Sequence, residues 1–203
     1  MNIRRIILTA ATALCALVGA ITIAQAEPAE PADAFVRRIS NDILESIKAD
    51  KSMQAGDARK LAALVDAKVM PSLDFERMTA SAVGKYWRQA TPAQKGSLQT
   101  EFKTLLVRTY AGALAQVRDQ RIEVKPVRGN AGDKEVVVRT EVRGAGDPVQ
   151  LDYRVEQADS GWKIYDVNIL GVWLVENYRG SFSQEIANVG IDGLIAKLSD
   201  KNR

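Results

Sequence analysis

Residues 161–182 read GWKIYDVNILGVWLVENYRGSF. The first nine alternate, so that Tyr165, Val167 and Ile169 fall on one side of an extended strand and Trp162 and Ile164 on the other. Beyond Gly171 the alternation gives way to an aromatic segment carrying Trp173, Tyr178 and Phe182. None of these side chains suits bond making or breaking. They supply apolar wall with a few polar groups at its rim.

Upstream, the same two-residue period recurs three times. Ile122 and Val124 alternate with Arg121, Glu123 and Lys125, and Pro126 places that strand at an edge or close to its end. Asn130-Ala131-Gly132-Asp133 turns the chain. Val136, Val138, Thr140 and Val142 then alternate with Val137, Arg139, Glu141 and Arg143. After Gly144-Ala145-Gly146-Asp147, Val149, Leu151, Tyr153 and Val155 alternate with Gln150, Asp152, Arg154 and Glu156. Four strands with short polar connections make an antiparallel meander, apolar on one face and charged on the other.

Helical periodicity dominates what comes before. Asp33 is a candidate N-cap for a helix carrying Phe35, Ile39, Ile43 and Ile47 at four-residue steps. A second helix bears Leu61, Leu64, Val65 and Val69 and ends at Pro71. Ser72 or Asp74 caps a third, with Phe75, Met78 and Val83, which stops near Gly84. Thr91-Pro92-Ala93-Gln94 is a capping box with proline at the first helical position. It opens a helix over residues 92–117, roughly 39 Å long at the usual rise. Residues 174–189 form a further helix, and Ile191, Leu194, Ile195 and Leu198 mark a short last one.

Helices before and after a one-sided meander predict an α+β fold. N-terminal helices, a four-stranded curved antiparallel sheet of the NTF2-like kind and C-terminal helices would enclose an apolar pocket between sheet and helices.

The first 26 residues belong to export. Arg4 and Arg5 precede an apolar run from Ile6 to Ile23, and Ala24-Gln25-Ala26 is a small-x-small cleavage site. An uncleaved anchor is the alternative, since a span needs roughly 18 apolar residues. Cys15, the only cysteine, lies inside the apolar run. The expected organisation is a signal peptide at 1–26, a flexible linker at 27–32 and one domain at 33–200. Without the leader 177 residues remain, and the basic count falls from 28 to 26 against 25 acids, a net charge of +1. That balance gives no footing for nucleic-acid binding. With no cysteine in the exported part, the core alone must hold the fold.

The chain has no histidine. Ser-His-Asp and Cys-His nucleophilic catalysis are therefore excluded, and so is the commonest transition-metal ligand. No Asp-rich loop has calcium spacing. No metal, cofactor or catalytic residue is expected.

Several pieces in order resemble the MlaC, or toluene-tolerance, family of periplasmic phospholipid-transport proteins. Pro71, Asp74-Phe75 and Met78 match one early signature; Gly84, Trp87-Arg88, Thr91-Pro92 and Gln94 match the next. Leu105-Leu106 and Thr109-Tyr110-Ala111 fit the helix that follows. Trp162-Lys163, Tyr165-Asp166-Val167, Gly171-Val172, Asn177-Tyr178-Arg179, Phe182 and Gly190 match the last third. The resemblance implies a monomeric periplasmic carrier that ferries phospholipid between an outer-membrane lipoprotein complex and an inner-membrane ABC transporter with an MCE-domain subunit. Trp173 stands where the family usually has a small polar residue, commonly Ser, so pocket volume and lipid preference are where this chain departs from the pattern.

An apolar face and a hollow one share the same periodicity, and only the resemblance favours the hollow. On that reading the sheet contributes Val138, Leu151, Tyr153, Tyr165, Val167 and Ile169 to a lipid-binding wall. Phe102, Leu105, Leu106 and Tyr110 face them, with Phe75, Met78, Val83 and Trp87 alongside. Trp173, Tyr178, Phe182 and Ile186 close an end. Arg88 and Arg179 are head-group candidates, because guanidinium suits phosphate; surface salt bridges are the alternative for both. Two other readings stand beside the carrier. One is an NTF2-like isomerase or dehydratase with a carboxylate base beside a tyrosine, although alternation turns Asp152 and Asp166 to the face away from the apolar one. The other is an interaction module with a filled core. A carrier of another amphiphile, such as a hopanoid, would look much the same.

Overall fold

The computed structural model describes residues 30–128 and 132–203. The leader and the first half of the Asn130-Ala131-Gly132-Asp133 turn lie outside the described residues.

Helix α1, Ala32–Ala49, begins one residue before the expected cap. Pro31 takes the N-cap position in extended conformation, and its carbonyl accepts from Phe35 N at 2.9 Å, which leaves Asp33 inside the first turn. The polar break after α1 holds a single turn, α2 (Lys51–Gln54). Helix α3, Ala58–Leu64, starts on Asp57, whose carboxylate accepts from Arg59 N and Lys60 N. It runs on through a π turn, Val65–Val69, into a 3-10 turn at Met70–Ser72 containing Pro71. Of the two candidate caps for α4 (Phe75–Val83), Asp74 performs the role, accepting from Arg77 N at 2.8 Å. Gly84, with φ of 66°, ends that helix in a conformation that side chains disfavour. A 3-10 turn over Gly84–Arg88 leads to α5, Pro92–Ala115, opened by the reciprocal Thr91–Gln94 box.

The sheet has six strands where the sequence predicts four. These are β1 (Arg121–Val124), β2 (Glu135–Val138), β3 (Thr140–Arg143), β4 (Val149–Ala158), β5 (Gly161–Ile169) and β6 (Val172–Trp173). The order is β1-β3-β4-β5-β6, with β2 also paired to β4, all antiparallel. Two causes account for the difference. Asp152 takes the Thr140 N–H on its carboxylate at 3.2 Å, and Thr140 Oγ1 donates to the Leu151 carbonyl, which divides one expected strand into β2 and β3 at Arg139. Beyond β5, Leu170 (φ 52°) and Gly171 (φ 89°) turn the chain tightly into the two-residue β6.

A register shift between Arg154 and Val155 changes which residues share a face. Val167 stands opposite Tyr153, yet Ile164 stands opposite Val155, so Tyr165 is an extra residue. Ile164 and Trp162 therefore join the apolar face, where simple alternation put them on the other. Tyr165 turns to the charged face instead.

The final helix, α6 (Leu174–Lys201), contains the expected break at Gly190 (φ 76°, ψ 178°). Its start is capped from the sheet: the buried Asp166 Oδ1 accepts from Val175 N at 3.1 Å.

Candidate functional site

Helix α1, not α5, lies over the apolar face of the sheet. Phe35, Val36 and Ile39 of α1 pack with Val124, Val138, Val155 and Ile164, and Trp162, Val167 and Tyr153 join them partly buried. Trp162 Nε1 ties the start of this layer by donating to the Glu30 carbonyl at 2.8 Å. Among the expected wall residues, Val138 is wholly buried. Leu151, Tyr153, Val167 and Ile169 are only half-buried, although they sit in the middle strands β4 and β5. Tyr153 OH lies 3.4 Å from Ser40 Oγ of α1, a polar contact inside an apolar layer. Burial pushes the Tyr153 phenol up to about 12.

A second cluster belongs to helices alone. Phe75, Met78 and Val83 of α4, Phe102 and Leu105 of α5, and Phe182 and Ile186 of α6 are buried there, with Trp87, Leu106 and Tyr178 packed partly buried against them. Phe102 is its centre. Its ring stacks on Phe75 at 5.8 Å and meets Tyr178 and Phe182 edge-on at 5.1 and 5.3 Å. Tyr110, farther along α5, is half-buried, and desolvation raises its phenol. A third, smaller cluster joins Ile47, Leu64 and Val117, where α1, α3 and the end of α5 converge. Leu73 packs against both larger clusters, and Ile43 against the sheet layer and this third one.

The charged face carries the remaining expected site residues. Tyr165 OH donates to Glu135 at 3.1 Å, and the Arg77 guanidinium lies 3.7 Å from the Tyr165 ring centroid. Arg77 also bridges Glu135 at 2.9 Å and Glu156, clamping the start of α4 to the sheet. Trp173 lies beneath Arg154, whose guanidinium is 4.0 Å from the indole, while Arg154 Nη1 pairs with Asp166 at 3.0 Å. Burial raises the Asp166 carboxyl against the opposing pull of the Val175 and Val167 amides and Arg154. Asp152 is equally committed, to Thr140 N and to Gln150 Nε2. Both aspartates thus face away from the apolar layer, as alternation predicts, and both perform structural tasks. Two concavities of about 770 and 430 Å³ open on this side, sharing Lys125 and Arg139. Their linings carry charges of both signs, mixed in the larger one with Pro126, Val136, Val137 and Tyr165.

The two head-group candidates part company. Arg179 Nε donates to the Ser81 carbonyl at 2.9 Å, tying α6 to α4. Arg88 is exposed. Sequence reasoning missed Phe35, Val36, Ile39 and Ser40 as the cover of the sheet. The four-residue apolar step in α1 was the available signal, but a step defines a helix face without naming what it packs on.

With this geometry in place, three comparisons bear on the chain. The family model described as MlaC protein matches residues 37–200. A curated relative, the toluene tolerance protein ttg2D of Pseudomonas putida, is 27% identical over 158 residues, covering 77% of this chain and 74% of the relative. Another, the intermembrane phospholipid transport system binding protein MlaC of Haemophilus influenzae, is 22% identical over 168 residues, covering 81% and 78%. Among solved structures, a phospholipid-binding protein from Ralstonia solanacearum in complex with a phospholipid is 47% identical, with a TM-score of 0.82. The match covers 84% of this chain and 96% of that one.

Proposed function

The chain belongs to the MlaC protein family, and on that premise we propose that it is a phospholipid-binding transport protein whose acyl chains lie between the sheet and α1, α5 and α6. The observation that carries this reading is the division of the apolar residues. A filled domain of this size normally has one contiguous core with smaller satellites. Here the two larger clusters meet, among the described residues, only at Leu73, and Leu151 and Ile169 are half-buried outside both. Tyr153 is enclosed enough to raise its phenol to about 12 yet keeps accessible surface. On the proposed reading, that remaining surface is what faces the acyl chains. The proposed lining is Leu151, Tyr153, Val167 and Ile169 of the sheet, with Leu106 and Tyr110 of α5 and Tyr178 of α6. Phe75, Met78, Val83, Phe102, Leu105, Phe182 and Ile186 are the packed support behind it.

The energetics fit a carrier. Each methylene exposed to water costs about 0.8 kcal/mol, so a chain of about fifteen carries on the order of 12 kcal/mol. A hollow that matches this without greatly exceeding it lets lipid be taken up and released. No reacting group is needed, and the commitment of Asp152 and Asp166 to backbone amides and cations disfavours the acid–base alternative.

The proposed setting is the periplasm, reached through cleavage after residue 26. Partners there would be an outer-membrane lipoprotein complex and an inner-membrane MCE-domain ABC transporter, met by a monomer. No helix among the described residues is long and apolar enough to cross a membrane.

The test is recovery of ligand. The protein, purified from its host without detergent and extracted with organic solvent, is expected to yield stoichiometric phospholipid by mass spectrometry. Folded protein repeatedly free of lipid would contradict the reading.

A further inference from the structure

The turn between α4 and α5 reads Gly84-Lys85-Tyr86-Trp87-Arg88 and lies within a run, residues 77–100, that contains no aspartate or glutamate. Its bases are Arg77, Lys85, Arg88 and Lys95. Arg77 is spent on Glu135 and Glu156. The other three gather at one end of the fold and lack a carboxylate partner among the described residues. Lys85 Nζ lies 5.1 Å from the Tyr86 ring centroid, and Lys95 Nζ, from the first turn of α5, lies 5.2 Å from that of Trp87. Arg88 extends freely between them in sequence. Both rings are half-buried, anchored in the α4–α5–α6 cluster.

We propose that this basic-aromatic turn docks the protein on anionic phospholipid surfaces. Tyrosine and tryptophan with one side packed and one side free suit the boundary between head groups and acyl chains. Lys85 and Arg88 are exposed and Lys95 is half-exposed, so the bases beside these rings are open to lipid phosphates. The contact is small and screened by salt, so it guides arrival without hindering departure. Asp192, which accepts from Gln94 Nε2 at 2.7 Å at the start of α5, sits beside the patch and moderates its charge. The inference rests on the carrier reading, since it supplies the surface on which such a carrier would meet its lipid.

Flotation with phosphatidylcholine vesicles, with and without about one quarter phosphatidylglycerol, tests it at low salt. The wild-type chain is expected to bind the anionic vesicles and to release them at high salt. A Lys85→Glu, Arg88→Glu, Lys95→Glu variant should bind on the order of 100-fold more weakly, and the milder Gln triple variant should lose most of that binding if the Glu variant folds poorly. Lys51→Glu with Arg59→Glu, exposed bases on α2 and α3, should change little. Equal binding by the triple variant, or equal binding to neutral and anionic vesicles, overturns the proposal. Wild-type protein that ignores both vesicles also overturns it, in favour of an acidic protein surface as occupant. Extracted lipid measured on the same samples separates this outcome from failure of the carrier reading, because protein that carries lipid but ignores vesicles contradicts only the docking surface.

Discussion

The helical cluster and the sheet face are built from the same kinds of side chain and are finished differently. Around Phe102 the rings of Phe75, Tyr178 and Phe182 close in, and Phe102, Leu98 and Val83 lose all contact with solvent. On the sheet, Val138 and Val155 are sealed by α1, but Leu151, Val167 and Ile169, farther along β4 and β5, are not. Close packing stabilises the first region; the second leaves apolar surface unspent, a cost in stability that a bound lipid can offset. If the proposed lining is right, support and receptacle are separate regions, and substitutions should tell them apart.

The largest effect is expected from Phe102→Ala. It should lower stability by about 3–5 kcal/mol, read from the midpoint of urea unfolding, while lipid per folded molecule stays near the wild-type value. Val167→Arg and Leu106→Arg should do the reverse: lipid in solvent extracts falls at least tenfold, with a stability change below about 2 kcal/mol. If Phe102→Ala abolished lipid at unchanged stability, the division between the regions would fail.

Arg154→Met should cost about 1–2 kcal/mol, since it strands the Asp166 carboxylate while Arg154 itself is partly exposed. Its pH dependence has a definite sign. The folded Asp166 holds its proton more tightly than the unfolded chain does, so its ionisation weakens the fold as pH rises from the usual carboxylate value through the raised one. Losing Arg154 should steepen that fall, and Asp166→Asn should remove it; a flat profile in both variants would count against the role assigned to the pair.

The smallest effect is spectroscopic. One of the five tyrosines should form its phenolate only near pH 12 by ultraviolet absorbance, and Tyr153→Phe should delete that late step. Retention of the step would place Tyr153 outside the enclosed layer.

Local signals in the sequence carried far. The Thr91–Gln94 box lies within four residues and is realised as written. The break at Gly190 is visible as two periodic runs out of phase. Features that depend on a neighbouring strand were not legible. Nothing near Tyr165 marks it as the extra residue of a bulge, so Ile164 and Trp162 were assigned to the wrong face. The division of β2 from β3 depends on Asp152, twelve residues away from Thr140. Likewise, the periodicity of α1 and α5 defined a face for each without showing that α1 covers the sheet. For the proposed site, the sequence offers a set of apolar positions, but its pattern alone does not separate lining from support, because both obey the same spacing.

The most direct test is to locate the lipid. A phospholipid with a photoactivatable group in its acyl chain, loaded into the protein, irradiated and mapped by peptide mass spectrometry, is predicted to label β4 and β5 around Leu151, Tyr153 and Val167 together with α5 around Leu106 and Tyr110. Labels confined to the charged face at Val137 and Arg139, or to Phe182 and Leu194 within the helical cluster, would contradict the account.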